Sequence, residues 1–241
     1  MLLNVSGLSV LYSGSNEDPA LKDLTFSIDE GEKVALLGAN GAGKSTLMLS
    51  LLGILDAAIG KIEVDGVILE KKSLPLIRRR LGLLFQDPDD QLFMPTVYDD
   101  ITFGPQNYAE NTGASKEITE KINEDADKIL KKLGIAHLKD RMSHKLSGGE
   151  KRLAALASIL VMEPRLLLMD EPSAFLDPRA RRRLISIIES LPNACLIATH
   201  DLDMALNLCA RCLLLHKGRL RADGATKDII ADKKLLDECG L

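Results

Sequence analysis

The stretch Gly38-Ala39-Asn40-Gly41-Ala42-Gly43-Lys44-Ser45 constrains this chain more than any other feature, because it matches G-x-x-x-x-G-K-[ST]. It follows a short apolar run, Lys33 to Leu37, that reads as a strand, and precedes Lys44 to Leu55, whose composition and apolar spacing suit a helix. A strand, a glycine-rich loop and a helix in that order make a cradle for phosphate. Glycines let backbone N–H groups approach phosphate oxygens closely, and the helix N-terminus adds partial positive charge. Lys44 is placed to reach β- and γ-phosphates, Ser45 to offer its hydroxyl to Mg²⁺, and Thr46 completes the candidate nucleotide-binding set.

The segments around this loop show how it is held. Leu8 to Tyr12, a turn across Gly14 to Pro19, Leu24 to Ile28 and the Glu30-Gly31 turn read as an antiparallel β edge. Asp65-Gly66 between Lys61–Val64 and Val67–Leu69 is a strong hairpin signal, and Leu81 to Phe85 makes another apolar strand. From Thr96 to about Met162 the pattern turns helical, with Ile118, Ile122, Ile129 and Leu133 forming the apolar side of Lys116 to Leu133. Alternation then resumes: strand Leu166 to Met169, helix Arg179 to Leu191, strand Ala194 to Ala198, helix Leu202 to Cys209 and strand Cys212 to His216. Continuous apolar strands alternating with helices imply a mostly parallel sheet covered on both faces.

Composition sets limits on function. The 241 residues carry a formal charge of -4, which argues against a chain built to coat nucleic acid, since phosphate neutralisation needs a basic face. Five Phe, three Tyr and no Trp leave little for base stacking. The arginines at 78–80, 179 and 181–183 read as solvated faces. Met1-Leu2-Leu3-Asn4 gives no charged lead into an apolar stretch, so a secretory signal is not expected and the chain should stay in the cytosol. The most apolar runs fall short of the roughly 20 residues needed to cross a bilayer. Cys195, Cys209, Cys212 and Cys239 lack a second pair or a His cluster at zinc spacing and read as reduced, buried thiols.

Two further motifs carry chemistry. Leu166-Leu167-Leu168-Met169-Asp170-Glu171 is a buried strand that presents two acids at its carboxyl end. Asp170 is expected to hold Mg²⁺ through water, and Glu171 to polarise an attacking water. Leu146-Ser147-Gly148-Gly149-Glu150 precedes a helix with apolar Leu153, Leu156 and Ile159, and reads as either a second phosphate-binding helix end or a plain cap.

In this order the motifs resemble those of the ABC (ATP-binding cassette) ATPases, and the resemblance spans essentially the whole chain. It implies an α/β P-loop NTPase fold with a RecA-like core, an antiparallel β subdomain and a helical subdomain. Residues 1–87 would hold the β subdomain and the loop-bearing part of the core, 88–162 the helical subdomain with the signature loop, and 163–241 the rest of the core. The resemblance further implies ATP and Mg²⁺ as cofactors. Ser147, Gly148 and Gly149 would meet the γ-phosphate of ATP bound to a second ATPase subunit, identical or related. Gln86 would sense Mg²⁺, His200 would act as the switch histidine, Tyr12 would stack on adenine, and Asp177 would sit at the dimer seam, a role compatible with capping a helix before Pro178. Two departures stand out: Glu150 replaces the commoner Gln, and Leu153 occupies a place where many members carry Arg.

Phe85-Gln86-Asp87-Pro88-Asp89-Asp90-Gln91-Leu92-Phe93, continuing through Thr96–Ile101 to Phe103-Gly104-Pro105, resembles the ATPases of energy-coupling-factor importers, and within them the cobalt or nickel branch. That resemblance implies a transmembrane coupling subunit, a substrate-binding membrane subunit, no nucleic acid, and a peripheral place on the cytoplasmic face of the cell membrane. Asp87, Asp89 and Asp90 are read as a solvated loop, not as ligands of the transported ion. A vitamin importer using the same motor, and a soluble ABC ATPase working without a membrane, remain the alternatives.

Overall fold

The computed structural model describes residues 1–12, 19–57, 59–112 and 116–241; apart from Pro19, the turn expected across Gly14 to Pro19 lies outside them. The described residues form a four-stranded and a six-stranded sheet. The smaller runs in the order β2-β1-β4-β5, all antiparallel, with β1 Leu3–Val10, β2 Leu21–Ile28, β4 Ile59–Val64 and β5 Val67–Ile68. Leu3, Val5, Leu8 and Val10 of β1 all face the core. Strict alternation would turn Leu8 outward, and a register shift between Val5 and Leu8, at Gly7 with φ 60°, restores its inward direction. Asp65 and Gly66 both take positive φ, 51° and 75°, as the two-residue hairpin requires.

The larger sheet runs β10-β9-β3-β8-β7-β6, with β3 Lys33–Leu37, β6 Leu81–Leu84, β7 Leu166–Asp170, β8 Ala194–Ala198, β9 Arg211–His216 and β10 Arg219–Ala225. Strand β3 pairs in parallel with β8 and β9, and β7 with β8; only β10 is antiparallel to its neighbour among the pairs described. Every residue of β8 is buried, which matches its unbroken apolar run.

Two compact units share the chain. The first, residues 1–83, 165–171 and 192–241, contains both sheets up to Leu83, with α1 Lys44–Leu51, α2 Leu74–Arg80, α7 Leu202–Leu208, α8 Thr226–Ala231 and α9 Lys233–Cys239. The second, residues 84–164 and 172–191, holds α3 Val97–Thr112, α4 Lys116–Lys132, α5 Gly148–Leu160 and α6 Pro178–Ser190. Helix α4 buries Ile122, Ala126 and Leu130, and Leu133 follows just past its end, whereas Ile118 is exposed and Ile129 half-buried. The core stripe thus steps by four, four and three residues, with Ala126 and Leu130 in place of the expected Ile118 and Ile129.

Three arginines read as solvated have specific partners. Arg78 donates to the Leu52 and Gly53 carbonyls that end α1, Arg80 to the Val64 and Asp65 carbonyls of the hairpin, and Arg183 to the Leu133 and Gly134 carbonyls after α4. Each satisfies acceptors that a helix end or a turn leaves open. Helix α2, strand β10 and helices α8 and α9 have no counterpart in the sequence reading; α2 is short and carries Pro75 in its first turn. All four cysteines are buried and free, and burial pushes the Cys195, Cys209 and Cys212 thiols up to about 12.

Leu196 lies at the centre of β8 and is fully buried. Leu196→Ala should cost about 2–5 kcal/mol, read as a lower urea midpoint at unchanged m value; an unmoved midpoint would show that β8 is not the packed centre of the sheet.

Candidate functional site

The carboxyl ends of β3, β8 and β7, adjacent in the sheet, present the glycine-rich loop, Thr199-His200 and Asp170-Glu171 side by side. Ligand sites of open parallel sheets form at such ends. The loop turns where only glycine fits: a Cβ on Gly43, at φ 110°, would stand 2.8 Å from Leu21 Cδ2, and one on Gly38 would stand 2.5 Å from the Leu215 carbonyl oxygen. Gly43 is also the N-cap of α1 and brings no side chain to it, so the first amides of that helix are not consumed by a cap. They are ready-made donors to an anion.

Lys44 is only 7% exposed, and its Nζ donates to the Gly38 and Ala39 carbonyls at 2.6 and 3.2 Å, which draws the ammonium across the loop. Burial lowers its pKa, while Glu171 and Asp170 oppose that shift. Ser45 Oγ donates to Asp170 Oδ2 at 2.6 Å. The Asp170 carboxyl is raised above the usual range by burial and by its neighbour Glu171, against the pull of Ser45 and Lys44. A hydroxyl and a carboxylate in contact are the hard oxygen donors that suit Mg²⁺, so these residues could hold that ion.

Glu171 is a buried carboxylate in the left-handed region at φ 44°, a conformation that costs a non-glycine residue of order 1–3 kcal/mol. Its amide donates to the Ala198 carbonyl, and its Oε2 lies 3.3 Å from Thr199 Oγ1, 3.4 Å from the His200 amide and 2.9 Å from His200 Nδ1. The strained backbone therefore aims a carboxylate whose direction is held from the neighbouring strand. Tyr12 lies beyond the end of β1, half exposed, with its hydroxyl 2.8 Å from Thr46 Oγ1, so its ring stands beside the first turn of α1.

The remaining candidates belong to the second unit. Ser147 caps α5 in a capping box: Glu150 accepts from the Ser147 amide and hydroxyl, both at 2.8 Å, and those bonds hold its carboxyl below the usual range. The commoner Gln is therefore replaced by a residue that still fixes the loop. Gly149 packs so tightly that a Cβ would come 2.9 Å from the Ala180 Cβ, whereas Gly148 faces open space. Asp177 caps α6, accepting from the Arg179 and Ala180 amides at 2.8 and 3.0 Å. Ser147, Gly149, Asp177 and Arg179 line a cavity of ≈ 390 Å³. Gln86 follows β6, and its carbonyl accepts from Arg152.

Arg152 was missed in the sequence. Leu153, at the place where an arginine is common, is buried, and its neighbour Arg152, 1% exposed, sends its guanidinium to the Phe85 and Gln86 carbonyls, each at 2.6 Å. The available signal was weak, a cation next to Lys151 that directly abuts the mostly apolar run Leu153 to Leu160. Ser45→Ala should raise the Mg²⁺ concentration for half-maximal nucleotide hydrolysis by roughly tenfold or more, with hydrolysis lost on chelation in both proteins; an unchanged Mg²⁺ dependence would remove Ser45 from the ion's shell.

Known proteins place this geometry in a family. The ABC transporter family profile matches residues 21–174. The protein gll0289 of Gloeobacter violaceus, named as an ABC transporter ATP-binding protein, is 48% identical over 95% of this chain and 92% of its own length. The energy-coupling factor transporter ATP-binding protein EcfA of Carboxydothermus hydrogenoformans is 39% identical over 100% of this chain and 87% of its own. Among solved structures, cbiO1 of Clostridium perfringens, described as part of the ABC transporter complex cbiONQ, superposes with a TM-score of 0.83 at 37% identity, covering 98% of this chain and 93% of that one. On this likeness the chain belongs to the ABC transporter ATP-binding family and is an ATP-hydrolysing transporter motor.

Proposed function

We propose that this ATPase drives an energy-coupling-factor type importer whose cargo is cobalt or nickel ion. The observation that carries this reading is the segment after Gln86. Phe93 is 66% exposed and meets Phe103 edge-on at 5.0 Å between ring centroids. Beside them Leu92, Phe93, Met94, Pro95, Met142 and His144 line a groove of ≈ 380 Å³. An exposed apolar patch rimmed by polar groups marks a docking surface, and here it suits a transmembrane coupling subunit. The names of EcfA and of cbiO1 in the cbiONQ complex support the same reading. A substrate-binding membrane subunit and a second cassette, identical or related, complete the assembly on the cytoplasmic face of the cell membrane. No helix among the described residues is long and apolar enough to cross a membrane. In this reading residues 1–87 hold the antiparallel β subdomain and the loop-bearing part of the core, 88–162 the helical subdomain and 163–241 the rest of the core.

In the proposed cycle ATP draws two cassettes together, with Tyr12 against the adenine and residues 38–46 around the phosphates. Lys44 places its ammonium on the β- and γ-phosphates. Ser45 and Asp170 would hold Mg²⁺, with Gln86 as a further contact, and the ion when bound neutralises phosphate charge. Glu171, aimed by Thr199 and His200, orients water for attack on the γ-phosphorus and takes its proton as ADP leaves. Ser147, Gly148 and Gly149 meet the γ-phosphate of the facing cassette's ATP, and Asp177 lies at the seam. Catalysis is then mostly positioning and charge stabilisation, as in other phosphoryl transfers. A vitamin importer would use the same motor, because no residue of this set touches the cargo.

Glu171→Gln should keep ATP binding while turnover falls by about 10²–10⁴, measured by nucleotide titration and phosphate release; near-normal turnover would take the role of base from Glu171. The cargo is tested with the chain co-purified with its membrane partners and reconstituted in vesicles, by ATP-dependent uptake of Co²⁺ and Ni²⁺ beside a vitamin panel. Metal uptake abolished by Glu171→Gln is the expected result. Vitamin uptake in its place would change the cargo and keep the motor.

A further inference from the structure

Helix α5 grips the segment that follows β6 at three points. Arg152 Nη1 and Nη2 donate to the successive Phe85 and Gln86 carbonyls. Lys151 Nζ lies 2.6 and 2.7 Å from the two Asp89 carboxylate oxygens. Gln91 Nε2 donates to the Ala155 carbonyl at 2.8 Å and to Ser158 Oγ at 3.1 Å, and its Oε1 accepts from the Phe85 amide at 3.3 Å. The Lys151 pair is partly exposed and screened. Arg152 is different in kind, a cation 1% exposed, bonded to two neutral carbonyls, with Nε lacking a partner among the described residues and Asp87 as the opposite charge acting on it.

A buried cation is a poor source of net stability, because its desolvation offsets most of what its partners return. Direction is what the planar fork supplies: two donors in one rigid plane fix two successive peptide carbonyls together, which a lysine or a hydrophobic side chain cannot do. Arg152 sits in the helix that Ser147 caps, one turn beyond the Ser147-Gly148-Gly149 loop. From this geometry we infer that Arg152 is a positioning residue: it locks Gln86 to the helix bearing the signature loop, so that the two move as one body during turnover. The inference rests on the roles proposed above for Gln86 and the signature loop. Gln86 does not adjust alone; a shift of its backbone carries α5 with it, and loss of Arg152 releases the Gln86 carbonyl while the loop at residues 38–46 still binds nucleotide.

A double-mutant cycle on the full chain separates this from a merely structural role. Arg152→Met, which keeps the stem and removes the donors, should lower kcat for ATP by roughly 10- to 100-fold with KM within about twofold, and Arg152→Lys should recover part of the loss. In a Gln86→Ala background Arg152→Met should lower kcat little further, because both act through one element. Equal losses in both backgrounds, or parental kcat in a folded Arg152→Met protein, would overturn the inference and leave the proposed function standing. Parental kcat in Gln86→Ala would strike the role of Gln86, and the inference with it. If Arg152→Met does not fold, the same cycle run with Arg152→Lys decides, since its smaller loss must also vanish in the Gln86→Ala background.

Discussion

The turn between β3 and α1 is possible only because Gly38 and Gly43 lack a Cβ, each being pressed against the Leu215 carbonyl or the Leu21 side chain. Everything chemical in the first unit follows from that close approach. It sets Lys44 at the first position of α1, where its ammonium reaches back to the loop's own carbonyls, and it sets Ser45 against Asp170. The neighbouring strands contribute by being parallel, since only then do the ends of β3, β7 and β8 carry their polar residues to one edge.

Charge is balanced tightly at that edge. A buried ammonium stands beside two acids, one of them raised by burial and by its neighbour's charge. Such a cluster is costly to assemble without a ligand's charge to organise it, and the cost is met by the packed strands beneath, where every residue of β8 is buried. Glu171 adds backbone strain at φ 44°. Strain of that kind persists where the surrounding structure over-determines it, and here the Ala198 carbonyl and the Thr199-His200 turn do so.

The second unit is organised differently. Its fixed point is α5, which is capped by Ser147 and Glu150, packs on α3 and α4, and holds the segment after β6 through Arg152, Lys151 and Gln91. The loop is therefore tied to the helix by backbone acceptors and one ion pair. Phe93 after this loop and Phe103 of α3 are exposed and meet edge-on.

The phosphate loop, the strand ending in Asp170-Glu171 and the capped signature loop were legible in the sequence because each depends on local chemistry: glycine where the backbone must approach closely, an unbroken apolar run, a Ser with Glu three residues on. Strands β3 and β8 fell at their expected bounds for the same reason, β8 being buried throughout and β3 at every position after Lys33. Tertiary structure alone decided the rest. The helix-end partners of Arg78 and Arg183 lie 25 and 50 residues away in sequence, and the pair that Arg152 seeks lies 67 and 66 residues away; no local pattern encodes an acceptor at that distance. The core stripe of α4 likewise runs through Ile122, Ala126 and Leu130 and leaves Ile118 exposed, a choice between apolar faces that only packing makes. Sequence thus determined which local devices form, a glycine turn before α1, an acid-tipped strand and a capped helix end, because each resides in residue type and local backbone. The fold determined which carbonyl or carboxylate each long cation meets, because that meeting depends on distances set only when the chain has packed.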